Sequence, residues 1–283
     1  MIFELSFRLN PVGGPVTPGR LSTETTGRTL ADADAKELLR AQTRAVFLVH
    51  GFNVDQASGR EHLSALAARL TDWDGAIVKV LWPGDHAVKA LSYPWEGEDA
   101  DDTARALDDF ITDVMQSGAT LSFVSHSLGA RVVLETIHRL PPSFRIDQVS
   151  LLAPAVDDDC LTGDGRYYQK VSLRTQRVVA LSSIYDRVLR FAYPVGDLLQ
   201  AFLYFWKDEP GKPMGLYGPQ PQSRQPPNVV GEATHPQPEE DPSRRVDHGD
   251  YLPEAHPNAK QLAAAKFSDD VIDHVAPLHY VLP

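Results

Sequence analysis

The amino-acid sequence predicts an α/β fold with a mostly parallel central sheet and helices on both faces. Short apolar runs of strand length alternate along the chain with longer segments in which apolar residues recur at the helical spacing. This alternation is typical of strand–helix–strand units, whose sheets are parallel and covered on both sides. A chain of 283 residues can bury one large core. We therefore expect residues 1–283 to form a single domain.

The strands are predicted from two patterns. Residues 1–9 alternate apolar and polar side chains, as a half-buried strand does. Residues 10–20, which follow, are rich in glycine and proline and are expected to form a loop. Short runs that are mostly apolar, unbroken at 45–49, then predict buried strands at residues 45–49, 76–81, 120–124, 149–153 and 177–182.

The helices are predicted from the 3.6-residue spacing of their apolar side chains. Leu63, Leu66 and Leu70 share one face of a helix predicted over residues 56–70. Residues 99–115 form a similar pattern with an acidic first turn, which suits the positive end of a helix dipole. Further helices are predicted at residues 31–41, 128–140 and 258–275.

The regular alternation stops near residue 187. Residues 198–206 are strongly apolar, and residues 209–242 hold nine prolines with no clean periodicity. We expect residues 187–247 to form a cap or an elaborated loop inserted in the domain. The aromatic residues within 202–206 either line an acyl pocket or lid, or pack in the core, which is the commoner use of such side chains.

The composition argues against several classes of function. The formal net charge of −11 disfavours a nucleic-acid or anionic-membrane surface, because both need clustered Lys and Arg. No segment has the apolar length of a membrane span, and the first residues lack the features of a signal peptide. The single cysteine, Cys160, cannot form an intramolecular disulfide and fits a reducing compartment. We expect a cytoplasmic protein.

The sequence Ser-His-Ser-Leu-Gly at residues 125–129 lies between a predicted buried strand and a predicted helix. This is the layout of a nucleophile elbow, whose usual form is Gly-x-Ser-x-Gly because the sharp turn demands small neighbours. Ser127 takes the nucleophile position, and Gly129 keeps the second small position. The alternative is that Ser127 is a helix N-cap, which is common after strands.

A serine nucleophile needs a base and an acid that orients the base, in the chain order Ser, Asp or Glu, His. Asp186 follows the strand predicted at 177–182 by a short turn and is the favoured acid. Asp157, Asp158 and Asp159 follow the preceding strand and are the rival acids. A loop or N-cap carboxylate remains the alternative interpretation of Asp186.

Five histidines follow Asp186 in the chain. Among them His248 lies beside a glycine that permits a sharp turn, just ahead of the predicted closing helix, and is the favoured base. A surface histidine in a turn is the alternative interpretation. The other four, which lie next to prolines, in the closing helix or at the chain end, are His235, His256, His274 and His279.

An oxyanion hole needs two preorganised backbone donors. One is predicted to be the amide of Leu128, which follows the nucleophile. The other is expected from the loop after the strand at 45–49, which begins with a His-Gly pair that lets the backbone turn its amides inward. Phe52 is the favoured donor in that loop, and Asn53 is the next candidate.

These motifs resemble those of the α/β-hydrolase superfamily, and more closely a bacterial family of alpha/beta hydrolases of unknown function related to lipases and esterases. The resemblance implies the triad Ser127, Asp186 and His248. The chain departs from the commoner pattern at Ser125, where glycine is usual, although serine is also small. The residues that carry the resemblance are 49–53, 82–84, 126–129, 153–157 and 183–186.

Four residues in or beside these motifs are candidate substrate-binding residues: Asn53, Trp82, His126 and Tyr185. For His126 a structural role is the alternative, because the residue before the nucleophile of an elbow is expected to point away from the site.

The expected activity is a serine hydrolase of the carboxylesterase type, which transfers an acyl group from an ester to water through an acyl-enzyme. It needs a small-molecule ester or acyl substrate and no cofactor, and no paired Cys/His spacing indicates a metal site. Two alternatives stay open: an acyltransferase or peptidase that uses the same triad, and a non-catalytic binding protein of the same fold. The sequence makes no prediction of the oligomeric state.

Overall fold

A nine-stranded β-sheet organises the part of the chain that this computed structural model describes, residues 1–25, 28–70, 73–85, 93–192, 212–233 and 246–252. In chain order the strands are β1 (Ile2–Arg8), β2 (Val16–Thr25), β3 (Arg28–Ala31), β4 (Arg44–Val49), β5 (Ala76–Leu81), β6 (Thr120–His126), β7 (Arg145–Leu152), β8 (Thr175–Ser182) and β9 (Val229–Ala233). Their order across the sheet is β3-β2-β1-β5-β4-β6-β7-β8-β9.

The helices connect these strands. The helix Gln56–Arg69, α2, begins where the Asp55 carboxylate accepts a hydrogen bond from the Ser58 amide at 2.8 Å, an N-cap that satisfies a free helical donor. No helix in the described ranges is both long and apolar enough to cross a membrane. The helices are α1 (Ala33–Arg40), α2 (Gln56–Arg69), α3 (Tyr93–Val114), α4 (Gly129–Arg139), α5 (Arg187–Ala192) and α6 (Met214–Tyr217), with a π turn at Tyr168–Ser172 and 3₁₀ turns at Gln222–Arg224 and His248–Tyr251.

The sheet is mostly parallel. β2 runs antiparallel to its neighbours β1 and β3, whereas every other neighbouring pair, from β1–β5 to β8–β9, is parallel. The central strands are buried, as expected for a sheet covered by other elements. The predicted α/β fold class is therefore confirmed.

The loop predicted at residues 10–20 is wrong in its second half. β2 begins at Val16 and pairs with β1, placing Leu21 opposite Leu5. Gly19 belongs inside the strand because a Cβ there would lie 2.8 Å from Leu5 Cδ1 and 2.9 Å from Phe7 Cε1. A glycine chosen for close packing has the same signature in the sequence as a loop glycine, so the two cannot be told apart before the strands pair.

The other predicted strands are found, and so are the helices predicted at 31–41, 56–70, 99–115 and 128–140, with shifted ends. The first of these helices begins later than predicted because Ala31 pairs with Ser22 in the sheet. The helix predicted at 258–275 and the apolar residues 198–206 lie outside the described residues. The cap at 187–247 stays a prediction; the described part of that segment contributes the edge strand β9.

Strand register brings four loops to one edge of the sheet. Val49 at the end of β4 pairs with Ser125 in β6, His126 pairs with Leu152 in β7, and Leu152 pairs with Leu181 in β8. Parallel strands that end together place the following loops side by side, which is where ligands bind in open α/β sheets. The motifs singled out in the sequence all lie in these loops or next to them.

Candidate active site

The turn after β6 holds Ser127 in a strained backbone conformation. Its φ angle is +52°, in the left-handed region that residues other than glycine rarely adopt. Surrounding hydrogen bonds maintain this conformation: Ser127 N donates to Leu152 O at 2.9 Å, and Ser127 O accepts from Ala130 N at 3.1 Å. This is the backbone geometry of a nucleophile elbow, which lifts one side chain out of the sheet edge.

Close backbone packing explains the glycine that follows the elbow. A Cβ at Gly129 would lie 2.5 Å from His50 O and 3.0 Å from Val49 O, and both of these atoms belong to the backbone of the neighbouring strand and its loop. Ser125 is fully enclosed at the end of β6, where the commoner motif has glycine. Helix α4 can therefore start this close to the sheet only because residue 129 has no side chain.

Replacing Gly129 by alanine is expected to destabilise the protein by about 1–3 kcal/mol, the usual cost of forcing an extra carbon into a packed site. The better helix propensity of alanine, about 1 kcal/mol, does not offset a clash with backbone atoms. Urea unfolding measures the loss. Gly163→Ala is the matched control, because a Cβ at Gly163 would meet nothing within 4 Å. Equal stability of the two variants would contradict the packing argument.

The imidazole of His248 lies between a serine hydroxyl and a carboxylate. His248 Nε2 lies 2.9 Å from Ser127 Oγ, and His248 Nδ1 lies 2.7 Å from Asp186 Oδ2. The Asp186 side chain is fully buried, whereas 13% of the His248 side chain is exposed. Because a carboxylate only accepts hydrogen bonds, Nδ1 carries the proton and Nε2 presents its lone pair to the hydroxyl.

Asp186 is held in place by the start of helix α5. Its Oδ1 accepts a hydrogen bond from Leu189 N at 2.8 Å, and its carbonyl oxygen accepts from Arg190 N at 3.0 Å. Asp186 is thus an N-cap whose second carboxylate oxygen is left for His248. The two interpretations of Asp186 in the sequence, helix cap and partner of a histidine, are both present in the structure.

The segment that carries His248 is anchored to the loop after β8. Ser183 Oγ donates to Val246 O at 2.7 Å. The Asp247 carboxylate accepts from His248 N at 2.9 Å and from Arg187 N at 2.8 Å, and it also pairs with the Arg187 guanidinium. Although burial opposes its ionisation, these hydrogen bonds lower the pKa of Asp247. The segment that carries His248 and the loop that carries Asp186 therefore form one hydrogen-bonded unit.

The loop after β4 lies directly against the elbow. A Cβ at Gly51 would lie 3.0 Å from Ser127 Cβ, closer than nearly all such contacts, so a larger residue there would press on the elbow. Asn53 has a φ of +56° and donates its amide to Gly84 O at 2.6 Å, so this amide is engaged with the loop after β5. Leu128 is the N-cap of α4, where amides have no intrahelical partner.

Contacts between His50 and Trp82 support the loop after β4. Trp82 Nε1 donates to His50 O at 2.8 Å, Trp82 N donates to His50 Nε2 at 3.2 Å, and the two rings stack 5.7 Å apart. Burial lowers the pKa of His50 to about 3, so its ring is neutral and Nδ1 donates to Gly51 O at 2.8 Å. Trp82 is fully buried and supports the loop, whereas the sequence suggested that it binds substrate.

Arg8, at the end of β1, is a buried cation beneath the same loop. Its guanidinium donates to Trp82 O at 2.7 Å and to Val54 O at 3.3 Å, and it pairs with Asp85. Burial raises the pKa of Asp85, and the ion pair with Arg8 opposes that rise. A single side chain thus connects the loops after β1, β4 and β5.

Three of the four predicted substrate-binding residues lie beside the site. Asn53 is exposed and Tyr185 is half-buried, next to Asp186. His126 is buried, and its Nε2 lies 2.7 Å from the backbone oxygen of His248, which favours the structural role considered above. Among the rival acids, Asp157 is buried in the loop after β7, where it forms an isolated bridge with Pro213.

The rival histidines His235, His256, His274 and His279 lie outside the described residues. Within the described ranges, no group of three or more His, Cys, Asp or Glu side chains could hold a metal ion.

No motif in the sequence drew attention to Arg8 or Asp247, and Ser183 stood out only as part of the motif at 183–186. One feature of the sequence does point to Arg8: this charged residue ends a strand that includes the buried residues Phe3, Leu5 and Phe7. Ser183 and Asp247 have ordinary turn composition, and only their contacts across the two segments reveal a role.

The sheet order, the elbow and the loops around it define an α/β-hydrolase. The chain belongs to the family described as "Alpha/beta hydrolase of unknown function (DUF900)", whose model matches residues 30–197, more than half of the chain. Ser127 and Asp186 lie within the matched range, and His248 lies beyond it. No match was found among curated proteins.

Solved structures of hydrolases are similar to this chain at low sequence identity. Esterase PE8 is 14% identical with a TM-score of 0.46, over 86% of this chain and 94% of that one. A putative dienelactone hydrolase from Klebsiella pneumoniae subsp. pneumoniae is 12% identical with a TM-score of 0.45, over 96% of each chain. A predicted CIB-like hydrolase from Thermoplasma acidophilum is 12% identical with a TM-score of 0.43, over 91% of each chain.

Proposed function

We propose that this protein is a serine hydrolase that cleaves a small-molecule carboxylic ester through Ser127, His248 and Asp186. The observation that carries the proposal is the His248 ring, 2.9 Å from Ser127 Oγ on one side and 2.7 Å from Asp186 Oδ2 on the other. A hydroxyl is a poor nucleophile at neutral pH unless an oriented base removes its proton. The ester substrate class follows from the resemblance to lipases and esterases.

The proposed reaction has two stages. His248 Nε2 takes the proton from Ser127 Oγ as the oxygen attacks the ester carbonyl, and the amides of Leu128 and Phe52 donate to the oxyanion. His248 then gives the proton to the departing alcohol, leaving an acyl-enzyme. Water then attacks the acyl group while His248 again acts as the base. The carboxylic acid product leaves, and Ser127 regains its hydroxyl proton from His248. Asp186 keeps Nδ1 protonated throughout.

Other features fit this proposal. Asn53 and Tyr185, at the edge of the site, are proposed substrate contacts. The net charge of −11 suits a small neutral substrate better than a polyanion such as nucleic acid. The single cysteine is consistent with a cytoplasmic location.

The test of the proposed chemistry is covalent labelling by a fluorophosphonate probe. We expect the wild-type protein to be labelled and Ser127→Ala to be unlabelled, because the phosphonyl group bonds to an activated serine oxygen. Ser64→Ala is the matched control, since Ser64 lies exposed on α2, and it should label like wild type. A wild type that is not labelled, or a Ser127→Ala variant that is labelled equally, would refute the proposal.

The substrate class is tested separately. A panel of p-nitrophenyl esters of graded acyl length is set against anilide and peptide substrates. We expect turnover of esters. Turnover of amides or peptides alone would identify a peptidase, and turnover only with an added alcohol or amine acceptor would identify an acyltransferase.

A further inference from the structure

The side chain of His126 bridges the nucleophile and the base segment. His126 directly precedes Ser127, yet its Nε2 lies 2.7 Å from the backbone oxygen of His248. The two imidazole rings are 4.7 Å apart between centroids, and the His126 ring lies 6.5 Å from that of Tyr251. Only 7% of His126 is exposed, so the contact is shielded from water.

The direction of this hydrogen bond is determined by its acceptor. A carbonyl oxygen only accepts, so His126 Nε2 carries the proton and Nδ1 does not. On its other side, Nδ1 lies 3.0 Å from the position that a Cβ on Gly51 would take. Burial, with the nearby His248 adding to it, lowers the pKa of His126 well below its usual value, so the ring is neutral and keeps a single N–H. The His126 ring therefore fills the space between Gly51, in the loop after β4, and the segment that carries His248.

Three other anchors of the His248 segment come from a different part of the chain. Ser183, Asp186 and Arg187 all lie in the loop after β8 or at the start of α5, and they hold the segment relative to the acid. The bond from His126 instead holds it relative to the elbow. It ties the backbone of His248 to the residue that directly precedes Ser127.

We propose that His126 is a positioning residue for the base, setting the Ser127–His248 distance by donating its Nε2 hydrogen to the His248 carbonyl. This inference rests on the proposed function, because it concerns the same serine and histidine. We expect the loss of this hydrogen bond to slow the chemical step and to leave substrate binding unchanged, since the His126 side chain is buried. A misplacement of about 1 Å at such a site can cost on the order of 100-fold in rate.

The test compares two variants that differ in the donor. His126→Leu fills similar space without a donor, and we expect kcat with a p-nitrophenyl ester to fall about 10- to 100-fold with little change in KM. His126→Gln can place its amide nitrogen near the position of Nε2, and we expect it to recover most of the lost kcat. The matched control is His138→Leu, at a partly buried histidine on α4, which should keep the wild-type kcat.

Several results would overturn the inference. Wild-type kcat in His126→Leu would do so, and so would equal losses in the Leu and Gln variants, because a role in packing does not distinguish a donor from an apolar side chain. If His126→Leu does not fold, ¹⁵N-histidine NMR of the wild-type protein decides instead. We expect the neutral Nε2–H tautomer for His126, and the Nδ1–H tautomer would refute the hydrogen bond.

Failure of this inference is distinguishable from failure of the proposed function. If the fluorophosphonate probe labels wild type through Ser127 but labels His126→Leu at the wild-type rate, only the positioning role is refuted. If the probe does not label wild type, the serine hydrolase proposal is refuted and the positioning role falls with it.

Discussion

Replacing Asp186 by asparagine is expected to lower kcat by about 10⁴-fold without unfolding the protein. Asp186 Oδ1 accepts from Leu189 N, and Oδ2 lies against His248 Nδ1. In the variant, the amide oxygen must face the Leu189 donor, so the NH₂ group faces His248. That NH₂ group can only donate, which forces His248 Nδ1 to accept and moves the ring proton to Nε2. The base then has no lone pair for Ser127.

The measurements are kcat on the best p-nitrophenyl ester and the rate of fluorophosphonate labelling, with circular dichroism to verify folding. Asp157→Asn is the matched control, because Asp157 is the buried rival acid on the neighbouring loop. We expect it to retain activity. If Asp157→Asn lost activity and Asp186→Asn did not, the acid would be the one that follows β7, and the assignment of Asp186 would be wrong.

Replacing Arg8 by methionine is expected to destabilise the protein by about 3–5 kcal/mol, the usual result of removing one partner of a buried ion pair. The Arg8 side chain is fully buried, and the change leaves the Asp85 carboxylate uncompensated. It also leaves Trp82 O without its donor. For a chain of this size we expect Tm to fall by roughly 10 °C. Thermal unfolding measures the loss.

Two further variants isolate the ion pair from simple loss of packing. Arg105→Met removes an exposed guanidinium that pairs with Asp102, and we expect it to change stability by less than about 1 kcal/mol. The double variant Arg8→Met, Asp85→Leu should be more stable than Arg8→Met alone, because no unpaired charge then remains buried. If the double variant lost as much as the two single changes added together, the pair would have no coupling energy.

Strands β1 and β4 to β8 and helices α1 to α4 were predictable because their signals are local, and the candidate triad residues were chosen from similar signals. Apolar runs indicate buried strands wherever they occur, and Ser127 and Asp186 each follow one within a few residues. The elbow also has a composition of its own, since only small residues fit the turn. For His248, the chain order of the triad narrowed the choice to five histidines, and the turn composition favoured one.

Other features depend on which segments meet in space. Gly19 looked like a loop residue until β2 paired with β1, and Trp82 looked like a substrate contact because it lies in a motif. His126 can be recognised as a donor only once the His248 carbonyl lies 2.7 Å away. In each case the deciding neighbour is distant in the chain.

The sequence by itself determined the α/β class, and it predicted the elbow at Ser127 and the order of the proposed acid and base after it. Periodicity and small-residue spacing record these features within short windows of the chain. Only the tertiary structure decided which carboxylate contacts His248, which buried cation lies beneath the loop after β4, and what His126 contacts. Hydrogen bonds act over about 3 Å, so partners 62 and 122 residues apart are recognisable only after the sheet brings their loops to one edge.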